Sequence, residues 1–321
     1  MQCNKYLNLY TDEETNSITT CIIVCYTHAY TERDLLQKQA DINRLKEILV
    51  LDRQWVTYPD YNDRAGWDRF LGTFKDEYIR RGEKRLNYQW QVVKATDYLA
   101  FERTGNRQIM EKPFGANNGA IADLLMAELA EGKGRFVDQL INGVFNACEM
   151  TSWALAAHII VQPSHRALPA YDYPVIDLTS GDLGGLLAWT YHFMRPSFDK
   201  VDPEISRRLR HELQTRILDP YMNNDSFWWM GRNYNGRMLN NWNPWCNSNA
   251  LMCFMLLEDN RDTLAKAVHL TMESVDKFLN YIKADGACEE GPSYWGHAAG
   301  KTLDYLELLS DITGDKVNIF N

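Results

Sequence analysis

Asn240-Asn241-Trp242-Asn243-Pro244-Trp245-Cys246-Asn247-Ser248-Asn249 runs straight into the apolar helix former Ala250-Leu251-Met252-Cys253-Phe254-Met255-Leu256-Leu257. Asn competes for backbone hydrogen bonds and Pro lacks a donor, so the first block suits a helix interior badly. At the start of a helix the same residues cost little, and their amides face whatever cavity the helix faces. A second loop-to-helix start follows at Asp285-Gly286-Ala287-Cys288-Glu289-Glu290-Gly291-Pro292-Ser293-Tyr294-Trp295-Gly296-His297. Two such starts, rich in Asn, Tyr, Trp and His, point to a carbohydrate site at one end of a helical scaffold.

Outward from these blocks, the hydrophobic spacing is helical. Residues 31–50 read as a charged helix with Leu35, Leu36, Ile42, Leu45, Ile48 and Leu49 near one face. A turn-rich segment follows through residues 58–63. Further helices are expected near 65–81, 84–104, 116–131, 134–159, 178–194, 203–219, 248–258, 261–283 and 293–313. Arg81-Gly82, Gly105-Asn106, Gly132-Lys133-Gly134 and Asp202-Pro203 supply the stops. No convincing period-2 run appears, so the fold class is all-α. Segments such as 136–160 and 183–193 are apolar on more than one face, which suits an inner ring of helices shielded by an outer one. Hairpins at roughly fifty-residue intervals, without a sequence repeat, favour an (α/α) toroid over a solenoid. Residues 313–321 read as a loop leading into a further element, so the toroid is expected to be incomplete, with domain limits of 31–321.

The chain has 321 residues and a formal charge of −9, a balance that argues against a nucleic-acid or anionic-membrane binder. A local basic patch could still hold an anionic sugar. Cysteines at 3, 21, 25, 148, 246, 253 and 288 form no zinc-ligand spacing and no CxxC pair, so buried thiols are expected and no metal. Residues 1–30 read as an N-terminal extension. Within it the apolar run 18–29 is too short to span a bilayer and resembles the core of an export signal, with cleavage near Ala29. A secreted or periplasmic location is therefore expected, with a buried first strand or helix as the other reading.

Aromatic residues are the compositional anomaly, with 10 Trp and 17 Tyr. Tyr221, Phe227, Trp228, Trp229, Tyr234, Trp242 and Trp245 are interleaved with Arg232, Arg237 and many Asn. Each buried amide needs partners, so this density suits a cleft better than a core. There Trp242, Trp245 and Trp295 would stack on sugar rings. Arg232, Arg237 and Asn247 would bind hydroxyls and carboxylates. His158 and His297 are further candidates, with a structural role open for each.

The blocks 240–249 and 285–298, with Cys148 to His158 and Val175-Ile176-Asp177-Leu178 before them, resemble the helical domain of heparinase II/III-like polysaccharide lyases. The resemblance runs from about residue 60 to about residue 313. It implies cleavage of a uronic-acid polysaccharide by β-elimination, without a cofactor. It also implies a β-rich C-terminal region, expected to belong to the same polypeptide and to fall outside residues 1–321. By motif Tyr294 matches the proton-transferring Tyr, and Asn241, or Asn240, the group that neutralises the substrate carboxylate. A phenol of ordinary pKa ~10 acts as a base only beside cations, for which Arg232, Arg237 and Lys301 are candidates. Glu289 and Glu290 could instead be a hydrolase's acid/base pair or the negative first turn of a helix; in a lyase Glu289 is expected to face away. An (α/α) glycoside hydrolase acting on unsaturated uronides and a non-catalytic carbohydrate-binding scaffold are the competing readings.

Overall fold

The computed structural model describes residues 32–232, 238–282, 286 and 291–320, and every regular element among them is helical. In order, these are α1 (Ile42–Ile48), α2 (Arg64–Leu71), α3 (Lys75–Glu83), α4 (Ala95–Thr104), α5 (Gln108–Glu131), α6 (Val137–Glu149) and α7 (Ala156–Ile159). Then come α8 (Leu178–Val201), α9 (Pro203–Leu213), α10 (Asp219–Asn223), α11 (Trp242–Leu257), α12 (Arg261–Tyr281) and α13 (Trp295–Thr313). None of the described helices is long and apolar enough to cross a membrane. The N-terminal run 18–29 lies outside the described residues.

Several helices differ from the expected spans because distant side chains take their backbone groups. Residues 31–50 yield only α1, since the chain before it is held to α12. The Asp276 carboxylate accepts from the backbone N–H of Leu36 and Gln37, and Asn280 Oδ1 accepts from Arg33 and Asp34. Of 84–104 only α4 is helical, because buried Asn117 of α5 pins the preceding segment. Its Oδ1 accepts from Gln91 N and the Tyr88 hydroxyl, and its Nδ2 donates to Gln91 O. The expected helix 134–159 breaks at Met150. There the Trp153 indole closes α6 by donating to Ala147 O, and Leu155 N turns to the Asp177 carboxylate. Conversely, α5 and α8 run longer than their patterns, with Pro113 and Pro196 inside them.

The largest correction concerns α11, which begins at Trp242 rather than near 248. Pro244 sits in its first turn, where its missing N–H would have no intrahelical partner. Asn243 and Asn247 are fully buried inside the helix and take part in a network. Asn243 Nδ2 donates to Trp229 O and Ser274 O (2.7 and 2.9 Å). Asn247 Nδ2 donates to Asn243 O and Ser274 Oγ (2.7 and 2.8 Å), and its Oδ1 accepts from the Tyr221 hydroxyl (2.5 Å). From Asn243 to Leu257 only Trp245 and Met252 escape full burial, so α11 is the central helix of this part of the fold.

Helices α8 and α13 flank α11 and run parallel to it. Trp245 and Asn249 meet Asp182 near the start of α8, while Met252 meets Trp189 further along. Trp245 likewise meets His297 and Lys301 near the start of α13. Close approach of α8 depends on Gly184 and Gly185, where a Cβ would come 2.9 Å from Ile217 Cγ1 and 2.6 Å from Met252 Cε. The antiparallel returns are α9 and α12, so the N-terminal ends of α8, α11 and α13 emerge together.

Asn247→Ala removes both the acceptor for buried Tyr221 and the donor to Asn243 O. Unfolding free energy is expected to fall by about 2–3 kcal/mol, the scale for leaving buried polar groups unpaired, as read from urea denaturation. A variant of unchanged stability would contradict a structural role.

Candidate functional site

Where the three helix starts emerge, α13 presents Tyr294, His297 and Lys301 at helical spacing toward Trp245 of α11. The His297 imidazole stacks on the Trp245 indole at 5.2 Å and 16°, and Tyr294 tilts against His297 at 5.6 Å. The Lys301 ammonium lies 5.4 Å from the centre of the Trp245 ring, within cation–π range. Tyr294 is 47% exposed. Asp182 anchors the stack from α8, accepting from Trp245 Nε1 at 2.7 Å and from Asn249 Nδ2 at 2.8 Å. The Asp182 side chain keeps an exposed surface, yet partial desolvation by the packed helices outweighs these donors and shifts its carboxyl above the ordinary range.

One turn earlier on α11, Trp242 carries a second group. Its ring meets His158 edge-on at 4.6 Å and Trp228 at 5.4 Å. His158 Nδ1 lies 2.7 Å from Asp177 Oδ2, and its Nε2 lies 3.4 Å from Arg107 Nη2. Guanidinium can only donate, so Nε2 is the acceptor and the ring proton sits on Nδ1, facing the carboxylate. Asp177 is fully buried and caps α8, accepting from Ser180 N (2.7 Å) and Leu155 N (3.1 Å) while its own N–H donates to Ser180 Oγ (2.8 Å). The result is an oriented imidazole whose second nitrogen accepts from a cation.

Of the residues singled out from sequence, Tyr294 and Trp245 both meet His297, Lys301 lies over Trp245, and His158 meets Trp242 one turn earlier on α11. Asn241 and Asn240 stand at the start of α11. Asn241 is 3% exposed, and Asn240 Oδ1 accepts from Trp242 N at 3.1 Å. Trp295 is exposed beside Tyr294. Asn247 is a correction: with no exposed surface and its amide committed on both sides, it holds the core and does not face the cleft. Arg232 faces a different cavity, with Glu273 and Lys277, where it donates to Tyr221 O and pairs with Asp225. Arg237, Glu289 and Glu290 lie outside the described residues. Asp182, Arg107 and Asn249 had not been singled out. The capping pattern Asp177-x-x-Ser180 was a usable signal for the start of α8, whereas nothing local marks Asp182. Among the described residues no group of three or more His, Cys, Asp or Glu is placed to hold a metal ion.

The raised Asp182 carboxyl carries a signed pH dependence. Between the unfolded carboxyl range near ~4 and the higher folded value, the folded chain holds more protons, so stability falls as pH rises through that window. Asp182→Asn keeps an acceptor oxygen and deletes the charge. It is expected to flatten this slope without lowering the melting temperature at neutral pH, whereas Asp182→Ala, which strands both donors, lowers it. Denaturation curves across mildly acidic pH give the answer, and an unchanged slope in the Asn variant would refute the assignment.

No family model matches the chain, and neither does any curated protein.

Proposed function

We propose that the converging N-terminal ends of α8, α11 and α13 form the cleft of a polysaccharide lyase acting on a uronic-acid polymer. One observation carries this reading: an exposed tyrosine heads α13, in line with His297 and Lys301 against Trp245. Flat rings with one open side suit sugar faces, and cations suit a uronate carboxylate. Helix N-termini add partial positive charge at the same end. The alternation of parallel α8, α11 and α13 with antiparallel α9 and α12 is what hairpins of an (α/α) toroid would give, and the toroid belongs to the same proposal.

Elimination needs the C5 proton made acidic, removed, and a proton supplied to the departing O4. Lys301 and the amides of Asn241 or Asn240 would neutralise the carboxylate as negative charge develops on it. The Tyr294 oxygen would move the proton: the C5–H bond breaks, its electron pair forms the C4–C5 double bond, and the C4–O4 bond breaks with O4 leaving protonated. His158, oriented by Asp177, is a second proton acceptor at the same end of the helices. A hydrolase is the second reading, favoured by Asp182, whose burial-raised carboxyl suits an acid. The products separate the two, because elimination creates an ultraviolet-absorbing double bond and hydrolysis of an ordinary glycan does not.

With a polyuronate panel, ultraviolet absorbance should rise with the protein present. Tyr294→Phe keeps the ring and should fold normally while kcat drops roughly 10²–10⁴-fold, the usual worth of a positioned acid or base. Asn241→Asp should be worse than Asn241→Ala, since it sets a negative charge against the substrate carboxylate. Near-normal turnover by a folded Tyr294→Phe variant would remove Tyr294 from the mechanism and the lyase reading with it.

A further inference from the structure

A cavity of about 250 Å³ lies beside the start of α8, lined among others by Thr151, Trp153, Tyr171, Ser180, His211 and Arg216. It takes no residue from the Trp245 stack or from the proposed mechanism. Arg216 lies over the Trp153 ring, 5.1 Å from its centre. Its Nε donates to Glu212 Oε2 (2.6 Å), Nη1 to Thr151 O (3.2 Å) and Nη2 to Cys148 O (3.4 Å). A second N–H on each Nη is left uncommitted. The Trp153 indole N–H, in contrast, is spent on Ala147 O. Glu212 is the only carboxylate lining the cavity among the described residues, and its Oε1 accepts from Arg208 Nε at 2.8 Å. Two guanidinium groups around one buried carboxylate leave this spot positive. Glu149, the other partner of Arg208, stands mostly in solvent, where screening weakens it.

The rim is a loop whose course is fixed from below. Buried Gln162 donates from Nε2 to Arg166 O and Leu168 O and accepts from Ala170 N. The Tyr173 hydroxyl fastens the far end to Ser226 Oγ at 2.5 Å. Between these ties the loop holds Tyr171 90% exposed, a ring open to stacking. Neither Tyr171 nor the exposed His211 has a side-chain hydrogen bond among the described residues. After α9 the lining passes through a π-helical turn, Gln214–Leu218, a distortion found often at functional sites. An inorganic anion would answer the guanidinium and leave Tyr171 idle. A neutral sugar would answer the ring and leave the positive charge unbalanced. A sugar acid answers both: its carboxylate takes the Arg216 N–H groups, and its face lies on Tyr171.

We propose that this cavity is a second, non-catalytic binding site for a carboxylated sugar, separate from the cleft headed by Tyr294. It rests on the lyase reading only in taking that sugar acid to be a unit of the same polymer. A chain engaging both places would be held more tightly than a short fragment engaging one.

Imidazole resonances of a histidine-labelled whole chain test it without turnover, the His211 signal being assigned by its loss in His211→Gln. The probes are glucuronate, its methyl ester and inorganic sulfate, at constant ionic strength. Glucuronate should shift the His211 signal saturably, and the ester and sulfate should each need at least about tenfold higher concentration, the scale of one charge-assisted hydrogen bond. Tyr171→Ala, a change in solvent that leaves the fold alone, should weaken glucuronate about two- to tenfold, the worth of one aromatic contact. A His211 signal that stays in place, or that responds equally to the ester or to sulfate, overturns the proposal. A His211 response in a chain that yields no ultraviolet-absorbing product from any uronate would remove the lyase reading and leave this site standing. Product formed by a chain whose His211 stays silent would do the reverse.

Discussion

The hydrogen-bond network through Asn243, Asn247, Ser274 and Tyr221 sets the position of α11, and the rest of the site follows from it. A helix apolar on almost every side could rotate or slide among its neighbours at little cost, because one aliphatic contact substitutes for another. Buried amides remove that freedom, since any other register strands them. Asn243 ties α11 to Trp229 O and to Ser274 of α12, and Asn247 ties it to the Tyr221 hydroxyl after α9. With that register, Trp242 and Trp245 occupy the first turn at the end where α8 and α13 also begin. Asp182 completes the alignment by holding Trp245 and Asn249 at once.

This arrangement separates buried parts from exposed ones. The amide nitrogens that tie α11 to its neighbours are buried and paired, while Tyr294, Trp295 and His297 stand exposed at the start of α13. His158 lies between these extremes, its Nδ1 committed to a fully buried carboxylate and its Nε2 turned to Arg107.

The helical class could be read from the sequence because it depends on local periodicity. The start of α11 could not. Asn and Pro at 243–249 argue against a helix locally, and the partners that overrule them lie at Trp229 and Ser274, outside any local window. The same holds for 84–94, straightened by Asn117, and for the chain before α1, held by Asp276 and Asn280. At the site, Tyr294 and Trp245 were visible as residue types in suggestive loops. Asn247 was misassigned because a buried satisfied amide and a ligand-facing one look alike in sequence. Asp182 escaped notice since its importance arises only when α8 and α11 pack in parallel.

The central claim is that carbohydrate binds across the N-terminal ends of α8, α11 and α13. Indole N–H resonances of an isotopically labelled chain report on it directly, because each Trp supplies one signal at a known place. On titration with a uronate-containing oligosaccharide, the account predicts that the Trp242, Trp245 and Trp295 signals shift together while those of Trp67, Trp153 and Trp229, buried in the core, stay in place. Shifts confined to other indoles, or none at saturating oligosaccharide, would contradict it.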